Sequence, residues 1–194
     1  MPGFLAFLRA IGRTEIPPEN EPLAPFAPAR APLPTSAEQA VGRALSVVGQ
    51  ARYKLGRGGR KPRALVPWDV EGFCDCSGFA SWVHGLDRYQ PEVRPGGSDW
   101  ISTTSIYDDA TGEHRMFRAV PVEEALPGDL VVYPSRYKKG VRIGIGHVGV
   151  IVARLRDGWD GLEVVDCAAR RGPAIAHRSG ELWARRGIVA RRLG

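Results

Sequence analysis

Cysteine is scarce in this chain: Cys74, Cys76 and Cys167 are the only three, and two of them stand one residue apart. An odd count in this spacing excludes a disulfide framework and leaves a reduced compartment or a reactive thiol. Long apolar runs are missing as well, so no membrane-spanning helix is expected. The nearest approach, residues 3–11, is interrupted by Arg9 and has no basic stretch before it, so it does not read as a cleavable signal peptide. Histidine is limited to His84, His114, His147 and His177, which narrows any search for a general base. Acidic residues are in deficit, 27 Lys+Arg against 21 Asp+Glu giving 27 − 21 = +6. A basic surface suits an anionic polymer such as bacterial cell wall, or nucleic acid. The arginine pairs 170–171, 185–186 and 191–192 read equally well as solvated surface, and nucleic acid is not the expected partner.

What is present is one domain's worth of chain, 194 residues with 43% apolar and 25% charged. Residues 12–35 hold seven prolines, so 1–35 is expected to be a proline-rich leader and 36–194 the folded domain. Ser36 with Gln39 forms a capping box, and Val41, Ala44, Leu45, Val48 and Ala51 recur at helical spacing, which predicts a helix over 37–51. A glycine-rich loop follows at 53–59. It lacks the Gly-Lys-Ser/Thr ending of a phosphate-binding loop, so no nucleotide cofactor is expected.

The centre of the chain is 73–83, Phe-Cys-Asp-Cys-Ser-Gly-Phe-Ala-Ser-Trp-Val. It predicts a helix over 76–85 with Cys76 in its first turn, where unpaired N–H groups bias a thiol toward thiolate. Cysteine is also often a small buried apolar residue, and that reading stays open at this point. Residues 86–118 are irregular and polar, with a short helix expected over 98–107 and a role in walling a cleft. Strands are expected at 130–133, after a Leu-Pro-Gly-Asp turn, and at 187–190. A hairpin is expected from 147–155 and 162–167. Helices first and antiparallel strands afterwards make an α+β layout.

His147, flanked by Gly146 and Gly149 at a strand start, is the candidate base for Cys76. His84 lies about two turns along the cysteine's own helix, and His114 falls in the irregular insertion. A third group that orients the imidazole would complete the site. Asp166, at the returning end of the hairpin, is the candidate, with His177 as its competitor. Cys-x-Cys with one distant cysteine and His147 does not follow the usual zinc spacing, so no metal is expected.

Together these blocks resemble the NlpC-type papain-like cysteine peptidases of bacterial cell-wall turnover. Tyr53-Lys54-Leu55-Gly56, Asp75-Cys76-Ser77-Gly78-Phe79, Leu126-Pro127-Gly128-Asp129-Leu130 and Gly146-His147-Val148-Gly149-Val150 match the family's blocks in order. The resemblance covers roughly 37–190. It implies a minimal papain-like fold, with the nucleophile helix packed on an antiparallel sheet. The implied reaction is hydrolysis of amide bonds in peptidoglycan stem peptides, commonly between D-glutamate and a diamino acid.

The resemblance carries Cys76 over as nucleophile and His147 as base. Tyr53, Asp75 and Ser77 carry over as substrate or oxyanion contacts, Asp75 facing a stem-peptide amine. Three features depart from the family. Its third polar residue is usually His, Asn or Gln where this chain has Asp166, its Trp-Gly-Gly is absent, and the insertion 86–118 has no counterpart in the smallest members. The implied place of action is the periplasm or cell wall, reached without a cleavable signal peptide, as a secreted effector or phage-borne enzyme. Secretion machinery or an inhibitory immunity protein would then be a partner. The competing readings are a Cys/His transglutaminase, deamidase or acyltransferase acting on protein or lipid, and a non-catalytic wall-binding module.

Overall fold

The computed structural model describes residues 36–194; the proline-rich leader expected over 1–35 lies outside the described residues. The first helix, α1 (Ala37–Ser46), opens on the expected capping box, Ser36 Oγ accepting from Gln39 N and the Gln39 side chain accepting from Ser36 N. It stops five residues earlier than the apolar spacing predicts. Backbone groups of Gly49, Gln50 and Ala51 pair with Ala174 and Ile175 instead, and a chain pinned to a neighbouring strand cannot continue a helix. Next come two short parallel strands, β1 (Arg52–Tyr53) and β2 (Phe73–Cys74). The glycine-rich loop lies between them, and helix α2 (Cys76–Val83) follows directly.

The insertion is more ordered than its composition suggests. Its helix is α3 (Thr103–Thr111), shifted toward the C-terminus from the expected 98–107. Residues 98–101 cannot start it because Trp100 bridges Tyr89 and Ile101 N donates to Arg88 O. Ser102 and Ser105 then cap each other at its true start.

The remaining strands are β3 (Phe117–Val120), β4 (Leu130–Tyr133), β5 (Arg136–Lys138), β6 (Val141–Gly144), β7 (His147–Arg154), β8 (Leu162–Cys167), β9 (Ile175–Ser179) and β10 (Ile188–Arg192). Six of them form one antiparallel sheet in the order β3-β10-β4-β7-β8-β9, while β5 and β6 form a separate ribbon. The expected hairpin is β7–β8, and the expected last strand extends to Arg192. Strands β3, β5, β6 and β9 were not foreseen: each is short and mixes polar with apolar residues, so none carries a clear alternation.

Period-two alternation sorts the sheet's side chains into two cores. Leu130, Val132, Val148, Val150 and Val165 face α1, α2 and α3, where Phe79, Trp82 and Ile106 fill the larger core. Val131, Tyr133, Ile151 and Val164 face the other way and are covered by Trp183, Trp159 and Ala125. The molecule is thus α+β, with helices on one face of an antiparallel sheet and short turns sealing the other. Among the described residues no helix is long and apolar enough to cross a membrane.

Candidate active site

Cys76 occupies the first position of α2 because Asp75 caps the helix: Asp75 Oδ1 accepts from Gly78 N at 2.7 Å. Gly78 is needed here for space. A Cβ on it would stand 2.6 Å from Arg57 O, so the glycine-rich loop lies directly on the helix start. The second Asp75 oxygen accepts from Gly56 N at 2.6 Å and from Arg88 Nη2 at 2.7 Å. Arg88, 2% exposed, also donates to Ser77 Oγ at 2.7 Å and to Arg57 O at 2.9 Å. The insertion therefore supplies a buried countercharge for the helix cap.

This arrangement bears on two expectations. Asp75 and Ser77 line the Cys76 cavity, but the carboxylate and the hydroxyl are already engaged rather than free. Capping and the buried Arg88 guanidinium occupy them, because a buried carboxylate must be paired. Nor is the Cys76 thiol at rest biased toward thiolate. Burial pushes it up to about 12, helped by the Asp75 charge; the Val148 amide, the Arg88 charge and the Ser77 amide pull it down by less. Desolvation here outweighs the helix-start effect.

Those same amides locate the thiol. Val148 N–H interacts with Cys76, so the sulfur lies against the backbone at the start of β7, directly after His147. His147 is paired across the ladder with Tyr133, and its ring stacks on Trp183 at 5.5 Å between centroids with an interplanar angle of 15°. Trp183 can reach it because Gly149 lacks a side chain: a Cβ there would stand 3.2 Å from the indole and closer still to Val164. Gly149 thus makes room for a tryptophan.

On the next strand, Asp166 pairs with Gly149 in register and its Oδ2 lies 2.7 Å from His147 Nε2. Asp166 is fully buried, its other oxygen accepts from Arg170, and Arg178 stands 3.7 Å away. Arg170 is therefore not solvated surface. His177, the competing third residue, sits on β9 with Nδ1 2.7 Å from Glu163 and its side chain 44% exposed. Asp166, not His177, holds the imidazole.

Tyr53 joins the two halves. It lines a cavity of about 310 Å³ with His147, Asp166 and Arg178, and its phenol is held above its ordinary value by burial and then by the Cys76 charge. It therefore remains a hydrogen-bond donor. A second cavity, about 230 Å³, is lined by Cys76, Leu55, Trp100, Thr103, Tyr137 and Arg142 among others, and both cavities share Ile145 and Gly146. The insertion thus does wall the cleft, through Trp100 and the start of α3. Beneath the thiol, Cys74 and Cys167 are fully buried, with Cys167 Sγ 3.5 Å from Cys74 O. Among the described residues no three His, Cys, Asp or Glu side chains gather as metal ligands.

Sequence reading missed Arg88, Arg170 and Trp183. Only a requirement signals the first two: a buried Asp75 and a buried Asp166 each need a cation. Nothing local marks Trp183.

Fold and site together define an α+β domain with a helix-start cysteine beside a histidine–aspartate pair. No family model and no curated protein matches the chain. Among solved structures it is similar to NlpC1 from Trichomonas vaginalis, at 16% identity and a TM-score of 0.49 over 80% of this chain and 43% of that one. NlpC2 from the same organism matches at 14% identity and a TM-score of 0.49, over 80% of this chain and 45% of that one. A lipoprotein-like NLP/P60 family structure from Staphylococcus aureus matches at 20% identity and a TM-score of 0.45, over 84% of this chain and 44% of that one. The chain therefore spans less than half the length of each of these three.

Proposed function

We propose that this protein is a cysteine amidase or endopeptidase that hydrolyses amide bonds in peptidoglycan stem peptides, most simply the D-glutamyl–diamino acid bond. The observation that carries the reading is the placement of Cys76 Sγ against the Val148 amide while the adjacent His147 is held through Nε2 by Asp166. That leaves Nδ1 as the imidazole nitrogen available to the thiol. The four sequence blocks, in order, support the substrate class.

The thiol is neutral at rest, so His147 acts as general base during attack. Sulfur adds to the scissile carbonyl carbon as Nδ1 takes the thiol proton. The C–N bond breaks and the same proton passes to the leaving amine. Water, deprotonated by His147, then cleaves the thioester, releasing the carboxylic acid and restoring the thiol. The Cys76 N–H, at a helix position without an intrahelical acceptor, would receive the oxyanion, with the Tyr53 hydroxyl as a second donor.

The test is mass spectrometry of purified peptidoglycan fragments after incubation with the wild type and with Cys76→Ala. Cleavage by the wild type alone is expected, and it identifies the bond. Cleavage by both proteins, or by neither, overturns the reading. Such a substrate places the action in the periplasm or wall; a chain recovered only from cytosolic fractions of its native cell and surroundings would contradict that location.

A further inference from the structure

The ribbon β5–β6 is not used by the chemistry above. It leaves the sheet after Tyr133 and returns just before His147, and among the described residues both strands pair only with each other. Its base is pinned to the start of α3: Ser135 N donates to Thr104 Oγ1 at 3.2 Å and Gly146 N to Ser135 Oγ at 3.0 Å. Beyond that base the ribbon is exposed. Isolated two-stranded ribbons are marginal in water and do not ordinarily display large apolar side chains to solvent. This one does: Tyr137 is 59% exposed, Val141 66%, Ile143 55% and the adjoining Ile145 54%.

Charge accompanies them in one sign. Arg136, Lys138, Lys139 and Arg142 all lie on the ribbon, and no acidic residue occurs over 134–146. Register separates the two faces, because cross-strand partners share a side. Tyr137 pairs with Arg142, and both line the cavity of Cys76. Lys138 pairs with Val141 on the opposite side, which Arg136 shares by strand alternation, while Ile143 is the extra residue of a β-bulge between Arg142 and Gly144 and stays exposed. Ile145 lines both halves of the site. The ribbon thus combines exposed aliphatic tips with lysine beside the mouth of the cleft.

We propose that this ribbon docks the protein on an anionic lipid bilayer, with the Cys76 cleft held at the membrane surface. Val141 and Ile143 would enter the headgroup–acyl boundary while Lys138, Lys139 and Arg136 meet anionic headgroups. A polyanionic glycan would use the cations but leave the aliphatic side chains in water. A second copy of the chain would bring two ribbons of like charge together. The bilayer satisfies both features at once.

The experiment is flotation of the full chain with vesicles of phosphatidylcholine alone and of phosphatidylcholine with phosphatidylglycerol. The wild type is compared with Val141→Ser/Ile143→Ser and with Lys138→Glu/Lys139→Glu. Thermal melts establish that the variants fold, and either variant suffices if the other does not. Expected is binding to the phosphatidylglycerol vesicles that weakens with added salt and falls about tenfold or more in each folded variant. Equal binding by wild type and variants, equal binding to both vesicle types, or no binding overturns the proposal. So does loss, in the same variants, of binding to insoluble peptidoglycan or of a concentration-dependent dimer without vesicle binding. Because binding is read without turnover, the result is independent of the proposed hydrolysis.

Discussion

At Cys76 two physical effects oppose one another. A helix start lowers a thiol's pKa, and complete burial beside a carboxylate raises it; burial prevails, leaving the group near 12. The resting thiol is therefore protonated throughout the neutral range. Alkylation of Cys76 by iodoacetamide, followed by mass spectrometry, is expected to accelerate about tenfold per pH unit from pH 6 to 9 without levelling, as thiolate is drawn from a thiol of high pKa. A plateau below pH 7 would reveal a preformed thiolate–imidazolium pair instead. Cys76 and His147 were legible because each stands in a distinctive local pattern, while Asp166 came from the return of the hairpin and competed with His177. Their protonation was not legible, because desolvation depends on neighbours far along the chain.

At the level of elements, α2 is held at its start by backbone and side-chain groups from three segments. Asp75 caps it, Gly56 and Arg57 close over it, and Arg88 from the insertion neutralises the cap. Removing the cation alone leaves a carboxylate buried and unpaired. Arg88→Ala is expected to lose about 3–5 kcal/mol in urea unfolding, and Asp75→Asn/Arg88→Met to recover part of that loss. If Arg88→Ala melts like the wild type, the pair is not what secures the helix. Helix α1's start and the β7–β8 hairpin could be read directly, because capping and alternation are local. The ends of α1 and the position of α3 could not, since pairing with Ala174, Ile175, Arg88 and Tyr89 decided them.

Across the whole molecule, one buried histidine couples folding to pH. His84, 3% exposed against Phe117 at the end of α2, has its pKa lowered to about 3 by burial and then by the Arg192 and Arg43 charges. In the unfolded chain it titrates near 6.5, so above that pH both states are neutral and it has no effect. Between about 6.5 and 3 the unfolded state binds the extra proton, and stability falls as pH falls, by about 2 kcal/mol at pH 5. His84→Gln is expected to flatten the decline in melting temperature between pH 7 and 5. An unchanged slope would place the acid sensitivity elsewhere.

The sequence alone determined the start of α1, the β7–β8 hairpin, the α+β class, Cys76 and His147 as candidate thiol and base, and Asp166 or His177 as the third group. All of these rest on spacing within short windows. Tertiary structure decided the partners. It chose Asp166 over His177 by strand register, enclosed Asp75 with Arg88, seated Trp183 on Gly149 beneath the imidazole, and raised a basic, apolar ribbon beside the cleft. Each of those choices joins residues distant in the chain through burial and charge, and neither is encoded in local spacing.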